Sequence, residues 1–159
     1  MTSLKSLKSR LMLLVPATVM VLGASAATVK SQSLYSPPSL PASNEVSDML
    51  SDKDIPTGQG GFARDYTVNL QAGDHVLIEL TSNSFDTIVS LIAADGATIT
   101  ENDDGPDGNT NSLLFYRISV SGKYYIRVRS FGATGMGAFN LKLTRLQPVS
   151  TIPGILPAS

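Results

Sequence analysis

The sequence predicts an all-β fold, an antiparallel β-sandwich of jelly-roll type with seven or eight short strands. Three observations predict it. Apolar and polar residues alternate from Gly61 to Leu146, turn signals such as AGD, DG, NDDG and SGK recur at short intervals, and no stretch sustains the i, i+3, i+4 spacing of a helix longer than about two turns. Many short strands joined by tight turns bury their apolar faces most simply as two facing antiparallel sheets.

Phe62, Arg64, Tyr66, Val68 and Leu70 stand at period two, so one strand face carries all five, with Arg64 nearest its exposed start. Gln71-Ala72-Gly73-Asp74 turns the chain. Val76, Ile78 and Leu80 then continue the inward pattern, and His75, Leu77 and Glu79 look the other way. Thr87 to Ala93 is more continuously apolar, as in a strand covered on both faces, and it ends at Ala94-Asp95-Gly96, where glycine tolerates positive φ. A short strand at about Ala97 to Glu101 pairs back across that turn. After a polar loop, Leu114, Tyr116, Ile118 and Val120 alternate inward, Ser121-Gly122 turns, and Tyr124, Ile126 and Val128 alternate again. Phe139, Leu141, Leu143 and Arg145 close the sheet. The predicted core is centred on Tyr66, Val68, Ile78, Leu114, Ile126 and Leu141.

Four regions divide the 159 residues: a signal peptide at 1–26, a Ser/Pro-rich linker at 27–43, the β-sandwich domain at 44–146 and a Pro-containing tail at 147–159. Lys5, Lys8 and Arg10 form a positive n-region, Leu11 to Gly23 the apolar core, and Ala24-Ser25-Ala26 the cleavage site. The apolar run is shorter than the ~20 residues of a membrane span and is interrupted by Pro16, so a leader cleaved after Ala26 is expected and no stable membrane insertion thereafter. The protein is expected to be secreted or periplasmic. With the leader removed, Lys plus Arg falls from 12 to 9 against 13 acidic residues, and the formal charge moves from −1 to −4. That balance gives no general attraction to a phosphate backbone, so nucleic acid is not an expected partner. The absence of cysteine excludes disulfides, thiolate metal sites and a cysteine nucleophile.

The chain resembles the bacterial pre-peptidase C-terminal domain family. The resemblance rests on Asp65-Tyr66-Thr67-Val68, Ala72-Gly73-Asp74, Ser84-Phe85-Asp86-Thr87, Asp95-Gly96, Glu101-Asn102-Asp103-Asp104, Asn111-Ser112, the run Ser121 to Val128, and Gly137 to Leu141, all in the family's order. It implies a small sandwich that serves secreted enzymes as an accessory module, here read as a stand-alone member. The collagen-binding modules of clostridial collagenases are distantly similar and would imply calcium and fibrous-protein binding. The Glu-Pro-Asn stretch that opens their calcium site is absent, and Asn44-Glu45 is the nearest acidic–amide pair.

Candidate sites are few. Asp103, Asp104 and Asp107, with Asn109 or a backbone carbonyl, form a candidate structural calcium site, because calcium takes six to eight oxygens and an Asp/Asn loop with glycines supplies several. The same residues are also ordinary turn formers. Asp52, Asp54 and Asp65 form a second acidic group. Tyr125, Arg127 and Arg129 alternate outward opposite Tyr124, Ile126 and Val128, an aromatic–cationic stripe of the residue types that concentrate binding energy at interfaces. A double substitution of Arg127 and Arg129 is expected to leave folding intact. His75 lies in no arrangement with a nucleophile, no serine sits in a G-x-S-x-G context, and the Gly58–Gly61 and Gly132–Gly137 segments read as flexible loops, not phosphate cradles. The expectation is a non-enzymatic binding or accessory module for an extracytoplasmic protein. A carbohydrate- or matrix-binding module, calcium-dependent or not, is the alternative, so the expected partner is an extracytoplasmic protein or polysaccharide.

Overall fold

The computed structural model describes residues 35–106 and 108–146. The expected signal peptide, the first part of the expected linker, Asp107 and the expected tail from residue 147 lie outside the described residues. Within them the chain forms nine strands: β1 (Glu45–Leu50), β2 (Ile55–Pro56), β3 (Phe62–Leu70), β4 (His75–Thr81), β5 (Thr87–Ala93), β6 (Thr98–Asn102), β7 (Ser112–Arg117), β8 (Gly122–Ser130) and β9 (Gly137–Leu146). One sheet runs β2-β3-β8-β5-β6 and the other β1-β9-β4-β7. Every neighbouring pair of strands is antiparallel.

The period-two pattern explains which side chains meet between the sheets. All six residues of the predicted core are buried there. Tyr66 meets Phe139 of the opposite sheet edge-on, with ring centroids 6.4 Å apart, an arrangement that aromatic quadrupoles favour. β5 is buried on both faces up to Ile92, as its unbroken apolar run predicts. The turns follow their residue chemistry. At 71–74, Gly73 takes φ 95° while the Asp74 carboxylate accepts the Gln71 N–H at 2.9 Å. At 94–97, Gly96 takes φ 90° and the Asp95 carboxylate accepts the Ala97 N–H.

Three features depart from the expected pattern. Val120 does not continue the inward alternation: β7 ends at Arg117, Ile118 is the last buried residue, and Val120 is 67% exposed, with its carbonyl accepting the Tyr124 hydroxyl. Two strands precede Phe62. In β1, Val46, Asp48 and Leu50 share the inward face, and the carboxylate at its centre masks the apolar alternation. The last part of the Ser/Pro-rich segment also docks on the sheet. The Thr67 N–H donates to the Pro38 carbonyl and the Leu40 N–H donates to the Thr67 carbonyl, each at 2.8 Å, so residues 38–40 extend the edge of β3 with a parallel bridge. Proline at 38 still offers a carbonyl, which is all this edge requires of it.

Asp48 holds the open side of the sandwich together. Its carboxylate accepts the Tyr66 hydroxyl at 2.7 Å and Arg64 Nη1 at 2.6 Å, and Arg64 Nε donates to Asp54 at 2.8 Å. Arg64 is therefore a tie between β1 of one sheet and β3 of the other, not an exposed end residue. Burial raises the Asp48 pKa, but hydrogen bonds from Tyr66, the Met49 N–H and Arg64 outweigh it, and the carboxyl sits below its usual value. For Tyr66, burial and then the bond to Asp48 both act upward, so the hydroxyl stays protonated. No helix among the described residues is long and apolar enough to cross a membrane.

Candidate functional site

Strand register assembles the outer face of the five-stranded sheet. Asp65 of β3 faces Arg127 of β8, which faces Ser90 of β5 and then Glu101 of β6. One row along, Thr67, Tyr125 and Ile92 stand side by side; in the opposite direction, Ala63, Arg129 and Ile88 do. Tyr125, Arg127 and Arg129 therefore share one face, as their alternation requires, but they do different things there.

Arg127 grips Asp65 with two parallel hydrogen bonds, Nε to Oδ1 and Nη2 to Oδ2, both 2.8 Å. This bidentate fork is the strong form of a charge-assisted bond. The Asp65 carboxylate is 1% exposed, against 33% for the Arg127 side chain. The bond to Asp65 holds the Arg127 pKa up, against the opposing effect of burial. A carboxylate so enclosed depends on its partner, so removing Arg127 strands a buried charge. On this ground loss of Arg127 is expected to cost stability, in contrast to the tolerance that alternation alone suggests. Arg129 instead makes a single contact, Nη2 to Glu101 at 2.9 Å, a carboxylate that is half exposed where Asp65 is enclosed.

Tyr35 joins this face from the N-terminal segment. Its hydroxyl donates to the same Asp65 carboxylate, and its ring leans on Tyr125 with centroids 5.8 Å apart. Lys123 Nζ lies 5.4 Å from the Tyr125 ring centre, within cation–π range. Between the two tyrosines is a notch of ≈ 230 Å³ floored by Ile92, with Arg127 and Asp65 at its base and Asp95 on its rim. Sequence reasoning found Tyr125 and Arg127 but missed Tyr35 and Asp65 as parts of the same place. An isolated tyrosine in a Ser/Pro-rich stretch was the available signal.

The polar loop after β6 is organised by asparagine amides. Asn102 Nδ2 donates to the carbonyls of Asp104 and Leu113, both at 2.8 Å, Asn109 Oδ1 accepts the Asn111 N–H, and Asn111 Oδ1 accepts the Ser82 N–H. Asp103 is half-buried and Asp104 exposed, and the carbonyl of Asp104 is already bonded to the Leu113 N–H. Among the described residues no three metal-ligating side chains converge, and Asp107 lies outside them. Asp54 and Asp65 of the second acidic group are separately engaged by Arg64 and Arg127. His75 stacks on Phe115 of β7 at 5.9 Å on the outer face of the other sheet.

With this geometry in place, comparison with known proteins is informative for the family. Residues 63–130 match the family model described as the bacterial pre-peptidase C-terminal domain. That segment is similar to the family's domain. The match takes in β3 through β8, and so includes Asp65, Tyr125, Arg127 and the loop after β6, whereas Tyr35, β1 and β9 lie outside it. No curated protein matches the sequence significantly. Among solved structures, the pre-peptidase C-terminal domain of a Bacillus anthracis collagenase is similar at a TM-score of 0.47 and 14% identity, covering 63% of this chain and 87% of that one. A periplasmic inhibitor of g-type lysozyme from Aeromonas hydrophila is similar at a TM-score of 0.47 and 18% identity, over 64% of this chain and 84% of that one. Its Escherichia coli counterpart, solved as a mutant, is similar at a TM-score of 0.42 and 14% identity.

Proposed function

We infer that this protein is an exported, non-catalytic binding module whose partner is another extracytoplasmic protein, engaged through the outer face of the five-stranded sheet. The observation that carries the reading is the Tyr35–Tyr125 notch. Two tyrosines of limited rotational freedom stand beside Ile92, Tyr35 held by its hydroxyl bond to Asp65 and Tyr125 by the Tyr35 ring and the Lys123 ammonium, which removes part of the ordering cost of binding. Tyrosine offers a large apolar surface with a polar tip, the combination enriched at protein interfaces. Export is supported by the A-x-A site after a basic and then apolar N-terminal stretch. A non-catalytic role is supported by the engagement of Asp65 with Arg127, of Arg129 with Glu101 and of His75 with Phe115, which ties up the charged groups of this face and the histidine in structural contacts.

The test is affinity capture from the source's own extracytoplasmic fraction with the leaderless protein, beside Tyr125→Ser and Tyr35→Ser variants. Both variants are expected to keep the melting temperature within a few degrees and to lose the captured partner. Identical capture by all three proteins would overturn the reading, as would a hydrolytic activity that His75→Ala abolishes.

A further inference from the structure

A second cleft opens at the end of the same sheet, beside Arg129, two residues along β8 from the Asp65–Arg127 pair. Its walls come from two glycine-containing loops that interlock. Gly61 takes φ 69°, and a Cβ there would stand 2.3 Å from the Ala133 carbonyl oxygen, so only glycine permits the approach. Across from it, a 3-10 turn at Phe131–Ala133 places Gly132 at φ 67° and Ala133 at φ 63°. A non-glycine residue in the left-handed region is strained and persists only where its surroundings fix it. Ser130 does some of the fixing: its hydroxyl donates to the Phe131 carbonyl and accepts the Gly135 N–H. The loops expected to be flexible are thus locked against each other around a cleft of ≈ 350 Å³.

The lining is unlike that of the tyrosine notch. Phe62, Ile88 and Phe131 supply apolar walls, and Phe131 remains 53% exposed although it stands beside them. Arg129 lies against Ile88 in register and reaches the same cleft. Its guanidinium uses one nitrogen, Nη2, on Glu101, and its Nε and Nη1 donors make no hydrogen bond among the described residues. An arginine fork with two donors open beside an apolar recess is complementary to an apolar group that carries a carboxylate. A polypeptide C-terminus joins those two features within a single residue, and capture of terminal carboxylates is an established mode of peptide recognition.

We propose that the cleft between the Gly61 and Gly132 loops binds the free C-terminus of a partner polypeptide, its last side chain against Phe62, Ile88 and Phe131 and its carboxylate on Arg129. This goes beyond the binding reading above and is independent of the tyrosine notch. The probe is a bead-bound peptide set with a Gly/Ser stem, varied over all terminal residue types, each made as free acid and as amide. Hits are then measured by fluorescence anisotropy against the full chain without its leader. Free acids with an apolar last residue are expected to bind at least about tenfold more tightly than their amides. Arg129→Gln is expected to abolish that difference at an unchanged melting temperature, and Phe131→Ala to weaken both forms. Tyr125→Ser should change neither, which separates failure of this proposal from failure of the notch. Equal binding of acid and amide, no binding by any member of the set, or an Arg129→Gln variant that still prefers the acid would each overturn it.

Discussion

Replacing Arg127 with alanine is the most informative single perturbation of this molecule, because the Asp65 carboxylate it serves is almost wholly enclosed. Breaking a buried ion pair from one side costs about 3–5 kcal/mol, mainly through the charge left behind. Arg127 is itself a third exposed, and Tyr35 still donates to Asp65, which places the expected loss at the low end, about 3 kcal/mol. With a urea dependence of about 1.5 kcal/mol per molar for a domain of this size, the unfolding midpoint should fall by about 2 M. Replacing both members by apolar residues of similar shape, Asp65→Leu with Arg127→Met, removes the stranded charge, so the double variant should recover most of the loss. Urea unfolding of wild type, the two single variants and the pair closes the cycle. A loss below about 0.5 kcal/mol in Arg127→Ala, or a double variant as unstable as the sum of the singles, would refute the argument that this pair is a structural clamp.

Other outcomes follow from the same contacts. Asp48→Asn should cost about 1–2 kcal/mol at neutral pH, since it weakens bonds from both Tyr66 and Arg64. Because the Asp48 pKa is lowered by folding, its contribution is present above the unfolded value of about 4 and is lost as pH falls through the folded one. The stability gap between wild type and Asp48→Asn should therefore be flat from about pH 5 upward and close in more acid solution; a gap that widens on acidification would contradict the assignment. Ser82→Ala should destabilise by about 2 kcal/mol in thermal or urea unfolding, because that buried hydroxyl accepts the Ser84 and Phe85 N–H groups and donates to the Ala138 carbonyl. Calcium at Asp103, Asp104 and Asp107 stands as a proposal for calorimetry: binding heat that Asp104→Asn abolishes supports it, and a silent titration at millimolar calcium removes it.

Much of the fold was legible because its strands obey a simple alternation. β3, β4, β5, β8 and β9 carry apolar residues at every second position, and Gly73 and Gly96 mark where the chain must turn. β1 was not read because Asp48 occupies an inward position, and only the cross-sheet partners Arg64 and Tyr66 make a carboxylate acceptable there. Such a partnership joins residues far apart in the chain, which periodicity cannot register. The candidate face was half legible for the same reason. Alternation placed Tyr125, Arg127 and Arg129 together, but strand order alone brings Asp65 beside Arg127, and edge pairing through Pro38 and Leu40 brings Tyr35 above both. The serine- and proline-rich composition of that segment predicts a linker, although a carbonyl and an N–H in the right register are enough to dock it.

Hydrogen exchange of the leaderless protein, free and bound to its captured partner, tests the central claim most directly. The account predicts added protection along the outer-face row formed by Thr67, Tyr125 and Ile92, extending into the segment that begins at Tyr35. Protection confined to β1, β9, β4 and β7, with that row unchanged, would contradict it.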